Sequence, residues 1–350
     1  MFGNKYLALS LSINKNNDIN TTVFNHYHIA NTLPSNKYNH KIINGEYSID
    51  LHNGCQLADL YNIPIVENTA EKQASIAIIV PHASPHNMLA KDLKAYWRYN
   101  FGYSIKLPAI NIHTMPDATF DSDWYIQECI DVMITATVNT NACIHVVEAK
   151  SSLLTDMIDA ISYATNVLDV DIISMSCGCN DTKELASYYN ICSSNKCFVA
   201  SSGDSNSISW PSVLPTCISV GGTTLIGDHY STKKETKWCN SGCGYSISQL
   251  KLLCQDNINM LKYRMVPDIS MMADPKYGII IVSNQAWYAV GGTSVSCPIF
   301  AGILSLANQE RFNNNKMALT TSDVINCINS NKIESNNIDA KVICNYLLAL

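Results

Sequence analysis

Lysine and arginine never gather into a run, and the 23 of them are outnumbered by 29 aspartates and glutamates, for a formal net charge of −6. That balance leaves no basic face for a polyanion, so nucleic acid and a membrane surface are not expected partners. Long apolar runs are missing as well. The stretch Tyr6 to Ile13 is too short to span a bilayer, is broken by Ser10 and Ser12, and is followed by no small-residue cleavage site. No signal peptide or spanning segment is therefore expected, and no compartment is assigned. Metal-ligand spacing is also lacking: the nine histidines form no ligand pattern, and Cys177-Gly178-Cys179 has no second pair at the spacing a zinc site needs. The fourteen cysteines do not read as a disulfide framework. Cys129, Cys143, Cys217 and Cys297 fall in expected core elements, where a reduced thiol behaves as a small hydrophobe, while Cys192 with Cys197 and Cys239 with Cys243 could close small loops under oxidant.

What is present alternates. Short apolar runs at Ser75 to Val80, Cys143 to Glu148, Asp171 to Ser176, Cys197 to Ser201 and Cys217 to Val220 read as strands. Between the second and third, Leu154, Ile158, Ile161 and Leu168 recur at near-helical spacing, with Ala160 and Ala164 on adjoining positions. Strands alternating with helices predict an α/β fold with a mostly parallel central sheet covered on both faces.

The most informative segment is Gly291-Gly292-Thr293-Ser294-Val295-Ser296-Cys297-Pro298, followed by an apolar run from Ile299 to Leu306. A Gly-Thr-Ser turn entering a helix places a serine hydroxyl beside free N–H groups and the positive dipole end, where a developing oxyanion is favoured. The alternative reading of the same letters is an ordinary capped helix, since Gly, Thr and Ser all suit N-caps.

The rest of the chain decides what accompanies the serine. No Asp ends the first core strand, which runs into Pro81-His82, and His145 lies inside a strand, so a Ser-His-Asp set of the subtilisin kind is not expected. Phe198-Val199-Ala200-Ser201-Ser202-Gly203-Asp204 instead places an Asp where subtilisins carry an oxyanion-hole Asn. With Ile130-Asp131-Val132, Val147-Glu148-Ala149, Ser174-Met175-Ser176-Cys177-Gly178, Trp210-Pro211, Val220-Gly221-Gly222-Thr223-Thr224, Val266-Pro267-Asp268-Ile269-Ser270 and the Ser294 element in that order, the chain from about Leu57 to Gln309 resembles the sedolisin family of serine-carboxyl peptidases. The resemblance implies a subtilisin-like three-layer fold and acid-favoured hydrolysis of peptide or protein substrates by a monomer. It further implies Ser294 as nucleophile, Asp204 as the carboxyl group that donates to the oxyanion, and Asp131 as the acid that orients the general base. A carboxyl can donate only while protonated, which is why such chemistry belongs to acid solution.

At the fourth position the chain departs from the family. Four residues before Asp131, one helical turn away and on the same face, stands Gln127 rather than Glu. An amide keeps the shape of a carboxylate but cannot take up a proton, and losing a general base costs roughly 10²- to 10⁴-fold in rate. Glu128 is adjacent, but one residue turns the side chain about 100° away. Two readings follow: a peptidase of impaired activity, or a catalytically inactive pseudopeptidase that keeps the cleft as a peptide- or protein-binding module.

The expected organisation is a polar N-terminal extension over residues 1–51, too short for the family's prodomain, a peptidase-like domain over 52–312 and a divergent C-terminal segment over 313–350. Calcium is typical of the family, but no glycine follows Gly302 to build its loop. Thr320-Thr321-Ser322-Asp323 reads as the start of a capped helix, so neither calcium nor another cofactor is expected.

Overall fold

A computed structural model describes residues 21–33, 41–44, 47–50, 53–65, 72–192, 195–226, 234–256, 261–329 and 347. The stretch Tyr6 to Ile13 lies outside the described residues. In chain order the elements are β1 (Phe24–Asn25), β2 (His28–Leu33), β3 (Lys41–Asn44), β4 (Tyr47–Asp50), α1 (Gly54–Leu60), β5 (Ser75–Pro81), α2 (His86–Phe101), β6 (Ala109–Thr114), α3 (Ser122–Val138), β7 (Cys143–Ala149), α4 (Leu154–Asn166) and β8 (Ile172–Met175). They continue with β9 (Cys177–Asn180), β10 (Cys197–Ser201), β11 (Ser209–Trp210), β12 (Ile218–Ile226), β13 (Lys234–Lys237), β14 (Gly244–Leu250), β15 (Tyr263–Val266), β16 (Ile269–Met272), β17 (Ile279–Ser283), β18 (Ala286–Gly291), α5 (Thr293–Asn313) and α6 (Thr321–Asn329).

Eight strands form the central sheet, in the order β13-β12-β10-β8-β5-β7-β6 with β16 also paired to β12. All of these pairings are parallel except that of β13. Alternation along β5 explains how one sheet serves two layers. Ile76, Ile78 and Val80 enter the core shared with α1, α2, α3 and α5, whereas Ala77 and Ile79 face Leu154, Met157, Ile161 and Ala164 of α4. This is the subtilisin-like three-layer α/β fold, and its strands fall where the apolar runs are.

Helix α3 is buried on every side from Gln127 to Val138, the polar Gln127, Glu128 and Asp131 included. Asp121 caps it, accepting from the N–H groups of Asp123 and Trp124. Its neighbour α5 comes close enough that a Cβ on Gly302 would lie 2.6 Å from Val138 Cβ. On the far side of the sheet, a fully buried Arg264–Asp268 ion pair at 2.6 Å ties β15 to β12: Asp268 accepts from the Ser219 N–H and Arg264 donates to the Cys217 carbonyl.

The α3–α5 contact fixes where two groups of polar side chains meet. Gly302→Ala should force the helices apart at a site with no slack, lowering unfolding free energy by about 1–3 kcal/mol, read as a fall in the urea midpoint at constant slope.

Candidate active site

Ser294 begins α5 at a place where the backbone has little freedom. Gly292 has φ +105, and a Cβ there would lie 2.2 Å from the His26 carbonyl oxygen, so only glycine fits the turn. Its N–H donates to the Ala273 carbonyl at 2.6 Å. Asp204, in the loop after β10, anchors the next residue: Oδ1 accepts from Thr293 N at 2.9 Å and Thr293 Oγ1 at 2.8 Å. The Ser294 hydroxyl, fully buried, donates to the Ser176 carbonyl at 2.8 Å and accepts from the backbone N–H of His26 at 3.1 Å. In return, the Ser294 N–H donates to the His26 carbonyl at 2.9 Å.

On α3, Gln127 and Asp131 sit one turn apart and touch: Gln127 Nε2 donates to Asp131 Oδ2 at 3.0 Å. Gln127 Oε1 is buried with no hydrogen-bond partner among the described residues, and no hydrogen bond joins Gln127 to Ser294 among them. Burial pushes the Asp131 carboxyl up to about 7, with the Ser176 hydroxyl and the Gln127 amide pulling the other way. Ser176 thus stands between the two halves of the site, its carbonyl on Ser294 and its hydroxyl toward Asp131.

Glu128 turns elsewhere, as a 100° step along the helix requires. Its neighbours are Ser84 and Glu148. Burial, then the Glu148 and Asp131 carboxylates, push it up to about 8 against the opposing Ser84 hydroxyl. Glu148 in turn accepts from Ser84 N, Ser84 Oγ and Thr114 Oγ1. Glu128 therefore offers no base to Ser294.

Two histidines on the N-terminal arm complete the site, and sequence reasoning missed both. Residues Phe24 and Asn25 pair antiparallel with Gly178 and Cys177 of β9, and β2 joins the β17–β18 hairpin as a third strand. The turn between them drives His26 into the protein, 2% exposed, with Nδ1 2.7 Å from Ser201 Oγ. Burial lowers its pKa to about 4, opposed by Asp204 and reinforced by His28, so the ring is neutral. His28 Nε2 approaches Asp204 Oδ2 at 2.9 Å, an ion-pair distance without hydrogen-bond alignment. The proximity of that carboxylate raises the His28 pKa, with burial opposing. The segment Phe24 to Ile29 carries no clean apolar alternation that would have marked it in the sequence.

The other expected features fall as follows. Asp323 Oδ2 accepts from the N–H and hydroxyl of Thr320 at the head of α6. Among the described residues no three His, Cys, Asp or Glu side chains are grouped to hold a metal. The thirteen described cysteines are all free thiols, Cys192, Cys197, Cys239 and Cys243 included.

Glu128 supplies a test of the site's electrostatics. Its folded-state pKa lies above its unfolded value, so it stabilises the fold fully only below about pH 4.5 and that contribution is lost as pH rises through 8. Glu128→Gln should match the parent near pH 4 and exceed it by a few kcal/mol at pH 8 or above, measured by urea unfolding across that range.

The subtilase family model matches residues 122–342, well over half of the chain. Sedolisin from Pseudomonas sp. (strain 101) is 31% identical over 144 residues, covering 37% of this chain and 24% of that protein. Kumamolisin from Bacillus sp. (strain MN-32) is 28% identical over 137 residues, covering 32% and 25%. The matched region is thus about a quarter of the length of these relatives. Among solved structures, Pseudomonas sedolisin complexed with two molecules of pseudo-iodotyrostatin shares the fold with a TM-score of 0.69 at 21% identity, over 81% of this chain and 88% of that one. A lanthipeptide protease does so with a TM-score of 0.56 at 12% identity, over 83% and 92%. The chain belongs to the subtilase family, as a divergent member of its sedolisin group.

Proposed function

We propose that the protein is a sedolisin-type serine peptidase acting on extended peptide or protein segments, with Ser294 as nucleophile, Asp204 as oxyanion donor, Asp131 as orienting acid and Gln127 standing where the general base would be. The observation that carries this reading is the 2.9 Å bond from the Ser294 N–H to the peptide carbonyl of His26. The N-terminus of α5 already holds a carbonyl oxygen next to a serine hydroxyl, the arrangement that acyl transfer requires. The proposed catalytic unit is residues 52–312, acting as a monomer, with 1–51 as an extension and 313–350 as a divergent tail.

The chemistry that follows is slow for one reason. When Ser294 Oγ bonds to a substrate carbonyl carbon, its proton must leave, and a glutamate at position 127 would receive it. The Gln127 amide has no lone pair basic enough to do so. The proton then has to pass to water or to the departing amide nitrogen without help, at a cost of roughly 10²- to 10⁴-fold. Asp204 can donate to the oxyanion only in its acid form, and only once the His28 ring that stands against it has moved.

The second reading, a catalytically inactive pseudopeptidase whose cleft serves as a binding module, is favoured by the Gln127–Asp131 bond, which engages the amide nitrogen without Ser294. Peptide cleavage by the full chain at pH 4 and pH 7 separates the two. We expect weak acid cleavage by the parent, none by Ser294→Ala, and a gain of about 10²-fold or more in Gln127→Glu. Cleavage by Gln127→Glu alone supports the pseudopeptidase; failure of all three chains to cleave removes the peptidase reading.

A further inference from the structure

Residues 24 to 26 lie along the site as an extended peptide. Phe24 and Asn25 add to the edge of β9 in antiparallel register, and the next residue, His26, presents its carbonyl to the Ser294 N–H and its own N–H to Ser294 Oγ. Strand addition of this kind gives affinity through the main chain and leaves specificity to the side-chain pockets. The pocket that matters is the one beside the nucleophile, and its occupant is an imidazole. His26 is 2% exposed and makes one side-chain hydrogen bond, between Nδ1 and Ser201 Oγ at 2.7 Å. Nε2 has no partner among the described residues. Ser201 is itself fully buried at the end of β10, three residues before Asp204. Phe24 covers the ring edge-on, with centroids 5.2 Å apart.

We infer that this pocket selects an imidazole side chain, with Ser201 as the specificity-determining residue, so that peptides entering the cleft carry histidine at the position whose carbonyl meets the Ser294 N–H. The proposal rests on the reading of the cleft as peptide-binding. A buried serine hydroxyl that lost its partner would be left unsatisfied, and a site built to pair a polar group rejects analogues that lack it far more strongly than an apolar pocket rejects a wrong size. Phenylalanine would fill the volume but strand the Ser201 hydroxyl. Alanine would leave both a void and an unpaired hydroxyl.

The test uses the full chain carrying His26→Ala, whose own arm lacks the anchor, titrated by fluorescence anisotropy with labelled Phe-Asn-X-Tyr peptides in which X is His, Nδ1-methylated His, Phe or Ala. The His peptide should bind about 10-fold more tightly than the Phe peptide, and methylation of Nδ1 should abolish that advantage. Adding Ser201→Ala should bring His and Phe within about 2-fold of each other. Hydrogen exchange of segment 22–28 reads the same contact in cis: Ser201→Ala in an otherwise unchanged chain should speed exchange of these amides about 10-fold. Equal binding of all four peptides, or a His preference that survives Ser201→Ala, overturns the imidazole inference while leaving the peptide cleft intact. If no peptide binds although exchange shows the His26→Ala arm released, the peptide-cleft reading itself fails. Unchanged exchange in Ser201→Ala overturns the inference without reference to any added peptide.

Discussion

The site depends on one crowded turn. Gly292 has to hold φ +105 with the His26 carbonyl on one side and the Ala273 carbonyl on the other, because only then does α5 start with its N–H groups facing the groove. From that turn the remaining positions are determined by short contacts: Thr293 onto Asp204, Ser294 onto Ser176, and, a few turns along α5, Gly302 against Val138 of α3. The polar residues of α3 and of α5 thus reach the same region because two helices pack at a glycine. Neither helix needs a polar attraction to bring it there.

In the proposed reading of the site, what matters most is the location of a single proton. Gln127 and Asp131 keep the geometry of two hydrogen-bonded carboxyl-like groups, but the amide supplies a permanent donor where a glutamate would exchange one. Burial raises the Asp131 carboxyl to about 7, so negative charge on the Gln127–Asp131 pair is disfavoured well above the usual carboxylate range. Below about pH 7 the neutral form of the pair predominates. Neutrality suits orientation and hydrogen bonding, and works against abstraction of a proton.

Much of this was legible in the sequence because it is local. The strand at Ser75, the helix from Leu154 and the Thr320 cap each follow from spacing within one turn or one pleat, and the structure places them within a few residues of the expected limits. Strand β12 runs on to Ile226, past the expected end at Val220, because partners β13 and β16 continue the ladder through the two glycines. Gln127 stood out because the family resemblance implies a glutamate one helical turn before Asp131. His26 was not, because its meaning comes from Ser201 and Ser294, which lie 175 and 268 residues further along. No periodicity within the arm announces a partner at that distance.

The arm's second anchorage has a consequence for how the molecule behaves in company. Beyond His26 the chain continues as β2, the outer strand on β18. The arm thereby covers the β18 edge from Trp287 to Gly291, which left bare would be a template for another strand. The same short arm thus both fills the space beside Ser294 and closes the edge of the β17–β18 hairpin.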